Sequence, residues 1–230
     1  MNTATDGSTG ARSADPVGIV LAGGASSRMG RDKARLVSGG ESLPALAARR
    51  LAAVCAEVAI ADGGRGLLPA LTSLPDGPGR GPAAGILGAA AAYPGRWLLV
   101  LACDLPRVPA ALLAELARFS RVETGAEAVD WAVPRWSGGV EPLCALYGPA
   151  ALAALAARVE RRRFALHSLL EEELAVRVLE GEELAGFGEP GEIFLNLNTP
   201  EDWERYVAAG LDAPETPPQD AQGQISRRNS

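Results

Sequence analysis

The chain predicts a three-layer α/β sandwich, a mostly parallel sheet with helices on both faces. Three observations carry this. Val17–Leu21 is short, apolar and rich in β-branched residues, and Gly23-Gly24 stop it, the form of a buried strand. Trp97–Ala102 is apolar at every position, as a strand covered on both faces requires. Around these runs, strand-like and Ala-rich helical segments alternate, the sequence form of βαβ units.

The elements follow in order. Met1–Asp15 is small and polar and reads as a disordered tail; residues 16–212 form one domain; residues 213–230, rich in Pro, Gln and Ser, form a second disordered tail. After the first strand and its glycine loop, Leu43–Ala56 is helix-like with Arg49-Arg50 on an outer face. Val58–Ala61 is a second strand and Leu71–Leu74 a weak third. The Gly/Pro passage Asp76–Gly85 opens an Ala-rich helix running to Ala92, and Ala110–Arg118 is helical after the Trp97–Ala102 strand. Strands are expected at Trp131–Pro134 and Glu141–Tyr147, helices at Pro149–Glu160 and Ala165–Glu173, and a late strand at Ala175–Leu179. Asn196 and Asn198 alternate on a strand end before Thr199-Pro200-Glu201-Asp202. Thr199 there is a sound N-cap, with Pro200 and Asp202 in the first turn.

Composition excludes several classes. A net charge of −6 and a pI near 5.0 argue against a surface that coats nucleic acid. Cys55, Cys103 and Cys144 are an odd, scattered set that suits neither a disulfide framework nor a zinc site and fits a reducing cytoplasm. The N-terminus lacks a signal-peptide pattern and no apolar stretch reaches the ~20 residues of a membrane helix. A cytoplasmic protein that meets neither membrane nor nucleic acid is expected.

The chemistry concentrates in Leu21-Ala-Gly-Gly-Ala-Ser-Ser-Arg-Met-Gly-Arg-Asp-Lys33. Glycines let backbone N–H groups approach phosphate oxygens, and Arg28 and Lys33 supply charge to neutralise them. The loop is not a Walker motif, because Gly30 is followed by Arg31 and stands one residue too far from Gly24. Nor is it the dinucleotide fingerprint, because Gly23 and Gly24 are adjacent. In open α/β sheets ligands bind beyond the carboxyl ends of strands. Cys103-Asp104-Leu105-Pro106 stands at such an end, so Asp104 is placed to hold a hard cation such as Mg²⁺; the alternative is a turn or helix-capping aspartate. Cys103 reads as core. Asp76 is a candidate for a ribose or base contact, or an exposed turn residue. Gly81 and Pro82 begin a helix whose small residues permit close approach. Asn196 and Asn198 are further polar candidates. His167 is the only histidine, which excludes a catalytic triad or a His-based metal site. Arg161-Arg162-Arg163 read as a solvated helix face.

The chain is similar to the molybdenum cofactor guanylyltransferases, which join GMP from GTP to molybdopterin and release pyrophosphate. The likeness runs from about Val17 to Tyr206 through the Leu21–Lys33 loop, Asp76 with Gly81-Pro82, Cys103–Pro106, Glu141–Tyr147 and Asn196–Asp202. The resemblance implies a Rossmann-like nucleotidyltransferase sandwich. It also implies nucleotide binding by Leu21, Ala22, Gly23, Gly24, Lys33, Asp76, Gly81 and Asp104, and catalysis by Arg28, Lys33 and Asp104 with Mg²⁺ on Asp104. GTP and molybdopterin would be the small-molecule substrates. Apo-molybdoenzymes or other proteins of cofactor biosynthesis are candidate partners. A polar nucleotide contact expected after the second strand is absent at Ala61, and Asp62 is a possible replacement. Arg80, Arg107 and Arg135 are candidates for the acceptor phosphate. The competing readings are a CTP-dependent relative, a sugar-phosphate nucleotidyltransferase, and an inactive nucleotide-binding domain.

Overall fold

The computed structural model describes residues 15–23, 37–38, 40–122 and 128–208. Arg28, Lys33, Gly24 and both expected tails, apart from Asp15, lie outside the described residues. The strand β1 (Val17–Leu21) is buried at all five positions, because it lies between β4 (Glu57–Ala61) and β6 (Leu98–Ala102), parallel to both. Beyond β4 comes β5 (Thr72–Leu74), also parallel. On the other side β6 pairs antiparallel with β9 (Cys144–Tyr147), β9 with β7 (Trp131–Trp136), and β7 runs parallel to the edge strand β10 (Val176–Leu179). A short β8 (Gly139–Val140) folds back on β7. Outside this sheet, β2 (Val37–Ser38) and β3 (Glu41–Ser42) form a two-residue ribbon. The sheet is therefore mostly parallel, with β9 as an antiparallel insertion.

Helices α1 (Leu43–Ala52), α2 (Pro82–Ala92), α3 (Ala110–Arg118) and α4 (Pro149–Glu160) cover the sheet. Three short helices close the chain: α5 (Gly181–Ala185), α6 (Pro190–Ile193) and α7 (Pro200–Ala208). Ser42 caps α1, its hydroxyl accepting from the Ala45 N–H at 3.4 Å. That helix ends four residues before the expected Ala56, because Val54 and Cys55 both close back onto the Leu51 carbonyl, at 3.0 and 2.7 Å, and turn the chain into β4. Arg50 does not face outward as expected; it reaches across to the Val108 carbonyl at 2.8 Å. The expected helix at 165–173 is a tighter 3₁₀ segment, Leu166–Glu171. There Ser168 donates to the Ala165 carbonyl at 2.6 Å, and buried Arg158 donates to Ser168 and Glu172. The local Ser168 bond competes with a regular helical ladder.

Helix α2 packs unusually close to the loop after β5. A Cβ on Gly88 would sit 2.1 Å from the Pro75 carbonyl oxygen, so only glycine admits that loop against the helix. The Gly77 N–H completes the contact by donating to the Ala84 carbonyl at 2.8 Å. This seating brings the Asp76 loop over the carboxyl ends of the parallel strands. No helix among the described residues is long and apolar enough to cross a membrane.

Candidate active site

From β1 the chain moves outward to β4 and β5 on one side, then returns to β6 on the other. The point where the order reverses lies between β1 and β6, and in open α/β sheets ligands bind at the carboxyl ends beside such a point. Hydrogen bonding continues past the strands: Ala22 donates to Ala61, and Cys103 to Leu21, each at 3.0 Å. The root of the glycine loop is thus fixed between two parallel neighbours. Buried Leu21 and Ala22 lead to exposed Gly23.

Asp76 is exposed and leans over this root. A Cβ on Gly23 would lie 4.0 Å from Asp76 Oδ1, and one on Gly63 3.6 Å from Oδ2. Gly81 caps α2 with φ of 60°, a left-handed value that favours glycine. Asp104 stands half-buried two residues beyond β6, and its carbonyl accepts from the Leu197 N–H at 3.0 Å. That bond draws the Asn196–Asn198 segment into the site. The two asparagines do not share a strand face, because the segment is irregular. The Asp202 carboxylate captures the N–H groups of Asn198 and Thr199 at 3.0 and 2.9 Å, and Asn198 turns back on the Asn196 carbonyl. The Thr199 hydroxyl accepts from the Asp202 N–H at 3.2 Å, completing the predicted cap. Asn196 Oδ1 is buried with no hydrogen-bond partner among the described residues, an acceptor available to a ligand.

Glu141 carried no expected role of its own. It precedes β9, half-buried, and its Oε1 accepts from the Leu143 N–H at 3.2 Å. Burial pushes its carboxyl up to about 7, the Leu143 amide opposes the rise, and the nearby charge of Asp104 adds to it. Two carboxyl groups on facing strand ends are oxygen donors of the kind a hard divalent cation takes. The sequence signal for Glu141 was a lone acid immediately before an apolar run.

Asp62 does not replace the missing contact after β4. Its side chain is 1% exposed and accepts from Gly64, Arg65 and Leu67 N–H groups at 3.1, 3.2 and 2.8 Å, and from the Ser73 hydroxyl at 2.5 Å. Burial alone would raise its carboxyl; these four donors outweigh it and hold the group below the usual carboxylate range. Of the candidate acceptor arginines, Arg107 pairs with Glu192 and Arg135 with Glu180, while Arg80 lies over the Phe164 ring at 4.6 Å. All three cysteines are buried. Burial pushes the Cys55 and Cys144 thiols up, Cys55 to about 12, which suits core residues rather than nucleophiles. His167 is exposed in the 3₁₀ segment, and Arg161–Arg163 are exposed in the turn after α4 rather than on a helix face.

A glycine-loop root, an aspartate beyond β6 and a second carboxyl group gather at the switch point of an open α/β sheet, the place where sheets of this class take their ligands. Residues 18–178 match the model of the MobA-like NTP transferase domain, and the chain belongs to that family, a family of nucleotidyltransferases. A protein of Opitutus terrae named "Probable molybdenum cofactor guanylyltransferase" is 36% identical over 200 residues, covering 82% of this chain and 93% of the relative. The solved molybdopterin-guanine dinucleotide biosynthesis protein A of Archaeoglobus fulgidus superposes with a TM-score of 0.70 at 23% identity, covering 84% of this chain and 98% of that one. A Mycobacterium tuberculosis protein solved in complex with manganese superposes with a TM-score of 0.57 at 21% identity, covering 84% and 98%.

Proposed function

We propose that this protein transfers GMP from GTP to molybdopterin, releasing pyrophosphate and forming the guanine dinucleotide cofactor. The observation that carries the reading is the meeting of the Ala22–Gly23 loop root, Asp76 and Asp104 at the carboxyl ends of β1, β5 and β6. The name shared by relatives that match most of the chain supports the substrate assignment.

In this reading the glycine loop cradles the triphosphate through its backbone N–H groups, with Arg28 and Lys33 neutralising charge. Asp76 faces the ribose, and Gly81 caps the α2 helix that follows it. Asn196 Oδ1 offers an acceptor from the opposite wall. Asp104, with Glu141 behind it, would hold Mg²⁺, which when bound supplies charge for the phosphate oxygens. An oxygen of the acceptor phosphate bonds to the α-phosphorus of GTP as the bond to the β-phosphate oxygen breaks, and pyrophosphate leaves. The attacking oxygen is already anionic, so the side chains position and neutralise rather than abstract a proton.

Calorimetric titration of the full chain with GTP, CTP, ATP and UTP, with and without Mg²⁺, tests the nucleotide. Selective GTP binding strengthened by Mg²⁺ is expected. A preference for CTP would keep the reaction class and overturn the guanylyl assignment; binding to none would favour an inactive domain.

A further inference from the structure

Arg65 belongs to the loop between β4 and β5 and is an exposed residue. Its guanidinium nevertheless points inward to main-chain oxygens. Nε donates to the Asp62 carbonyl at 2.8 Å, and Nη2 donates to the Ala22 carbonyl. One planar fork therefore joins the ends of two neighbouring parallel strands. The Ala22 residue is held from both sides, since its N–H donates to Ala61 at 3.0 Å. Asp62 in turn fixes the base of the fork, accepting from the Arg65 N–H at 3.2 Å within its larger network.

The consequence is stereochemical. In a trans peptide the carbonyl of one residue and the N–H of the next point to opposite sides. Holding the Ala22 oxygen on Arg65 therefore turns the Gly23 N–H the other way, as a donor with a fixed direction at the start of the glycine loop. A donor whose direction is set in advance costs a ligand less ordering on binding.

We propose that Arg65 is a positioning residue for the nucleotide: it locks the Ala22–Gly23 peptide so that the Gly23 N–H meets an oxygen acceptor of the bound nucleoside triphosphate. This rests on the reading that the nucleotide binds at the Ala22–Gly23 loop root. The bridging requires a planar group with donors at two separate nitrogens, which a lysine ammonium does not provide.

The test uses Arg65→Lys and Arg65→Ala in the full chain. Both variants are expected to raise the calorimetric Kd and the KM for GTP about tenfold, the scale of one lost charge-assisted hydrogen bond. The effect on kcat is expected to be smaller, roughly threefold at most, because Arg65 acts on binding geometry. Hydrogen exchange of the ligand-free Arg65→Lys protein provides a readout independent of activity, with the Ala22 amide expected to exchange about tenfold faster as its strand-end clamp loosens. GTP affinity in Arg65→Lys equal to that of the unaltered protein would overturn the proposal, and so would unchanged Ala22 exchange. If the unaltered protein prefers another nucleotide, the guanylyl reading fails, while Arg65 is judged by the same variant-to-parent ratio for that nucleotide. If it binds none, the exchange result decides whether the clamp exists and the role in nucleotide positioning is overturned.

Discussion

Asp62 and Asp104 stand at matching places in the sheet, just beyond β4 and β6, the two strands that flank β1. Their surroundings make them opposites. Asp62 is enclosed by three backbone N–H groups and the Ser73 hydroxyl, and its charge organises a loop. Asp104 serves the fold through its carbonyl oxygen, which takes the Leu197 N–H, while its carboxyl group shares a strand end with Glu141. The difference teaches that position just beyond a central strand does not by itself assign chemistry. What separates the two is their surroundings: Asp62 sits inside a ring of donors, and Asp104 sits beside a second carboxyl group.

Substitution separates the two most sharply at Asp104. Asp104→Asn is expected to lower guanylyl transfer by about two to three orders of magnitude, the scale of losing one charge-stabilising group, with a thermal midpoint close to the parent's. Steady-state kinetics beside thermal unfolding checks both halves. A fall in stability as large as the fall in activity would erase the contrast.

Lys33→Ala extends the Asp104 side of the comparison to the glycine loop. Turnover should drop on the order of a hundredfold, measured as pyrophosphate released with saturating substrates. Parent-like turnover would remove Lys33 from the mechanism.

Asp62→Ala should do the reverse of Asp104→Asn. Three amides and a hydroxyl lose their acceptor, and destabilisation of about 2–4 kcal/mol is expected from denaturant unfolding. Because the Asp62 carboxyl is held low, its stabilisation is present above the unfolded-state value and is lost as pH falls through the folded value. Asp62→Ala should therefore flatten the acid limb of the stability profile.

Glu141 gives the smallest and most distinctive effect. Its carboxyl is raised from 4.5 to about 7, so between those values the folded protein binds more protons than the unfolded one and stability falls as pH rises. Glu141→Gln retains an acceptor for the Leu143 N–H and should remove that part of the slope in the protein without added metal. Unfolding midpoints at pH 5.5 and pH 8 suffice, and an unchanged slope would place the titration elsewhere.

Much of this was legible in the residues, and the gaps have physical causes. Val17–Leu21 and the 97–102 run announced themselves because central parallel strands are apolar on both faces. Thr199-Pro200-Glu201-Asp202 declared its cap because the interaction is local. The direction of β9 was hidden, since an apolar run reads alike in either sense. The structural role of Asp62 was hidden, because it depends on Ser73, eleven residues away in the chain. Arg65, in the glycine-rich turn Gly63-Gly64-Arg65-Gly66, gave no signal at all, because its partners are carbonyls and any residue supplies those. The asparagines were misplaced in geometry, since the Asp202 cap bends the segment that alternation suggested was straight.

The most direct test of the central claim is pyrophosphate release by the full chain supplied with GTP, Mg²⁺ and molybdopterin, compared with the Asp104→Asn variant. Release that requires the acceptor and collapses in the variant is the predicted result. Absence of release from the unaltered protein, or equal release from the variant, would contradict the account.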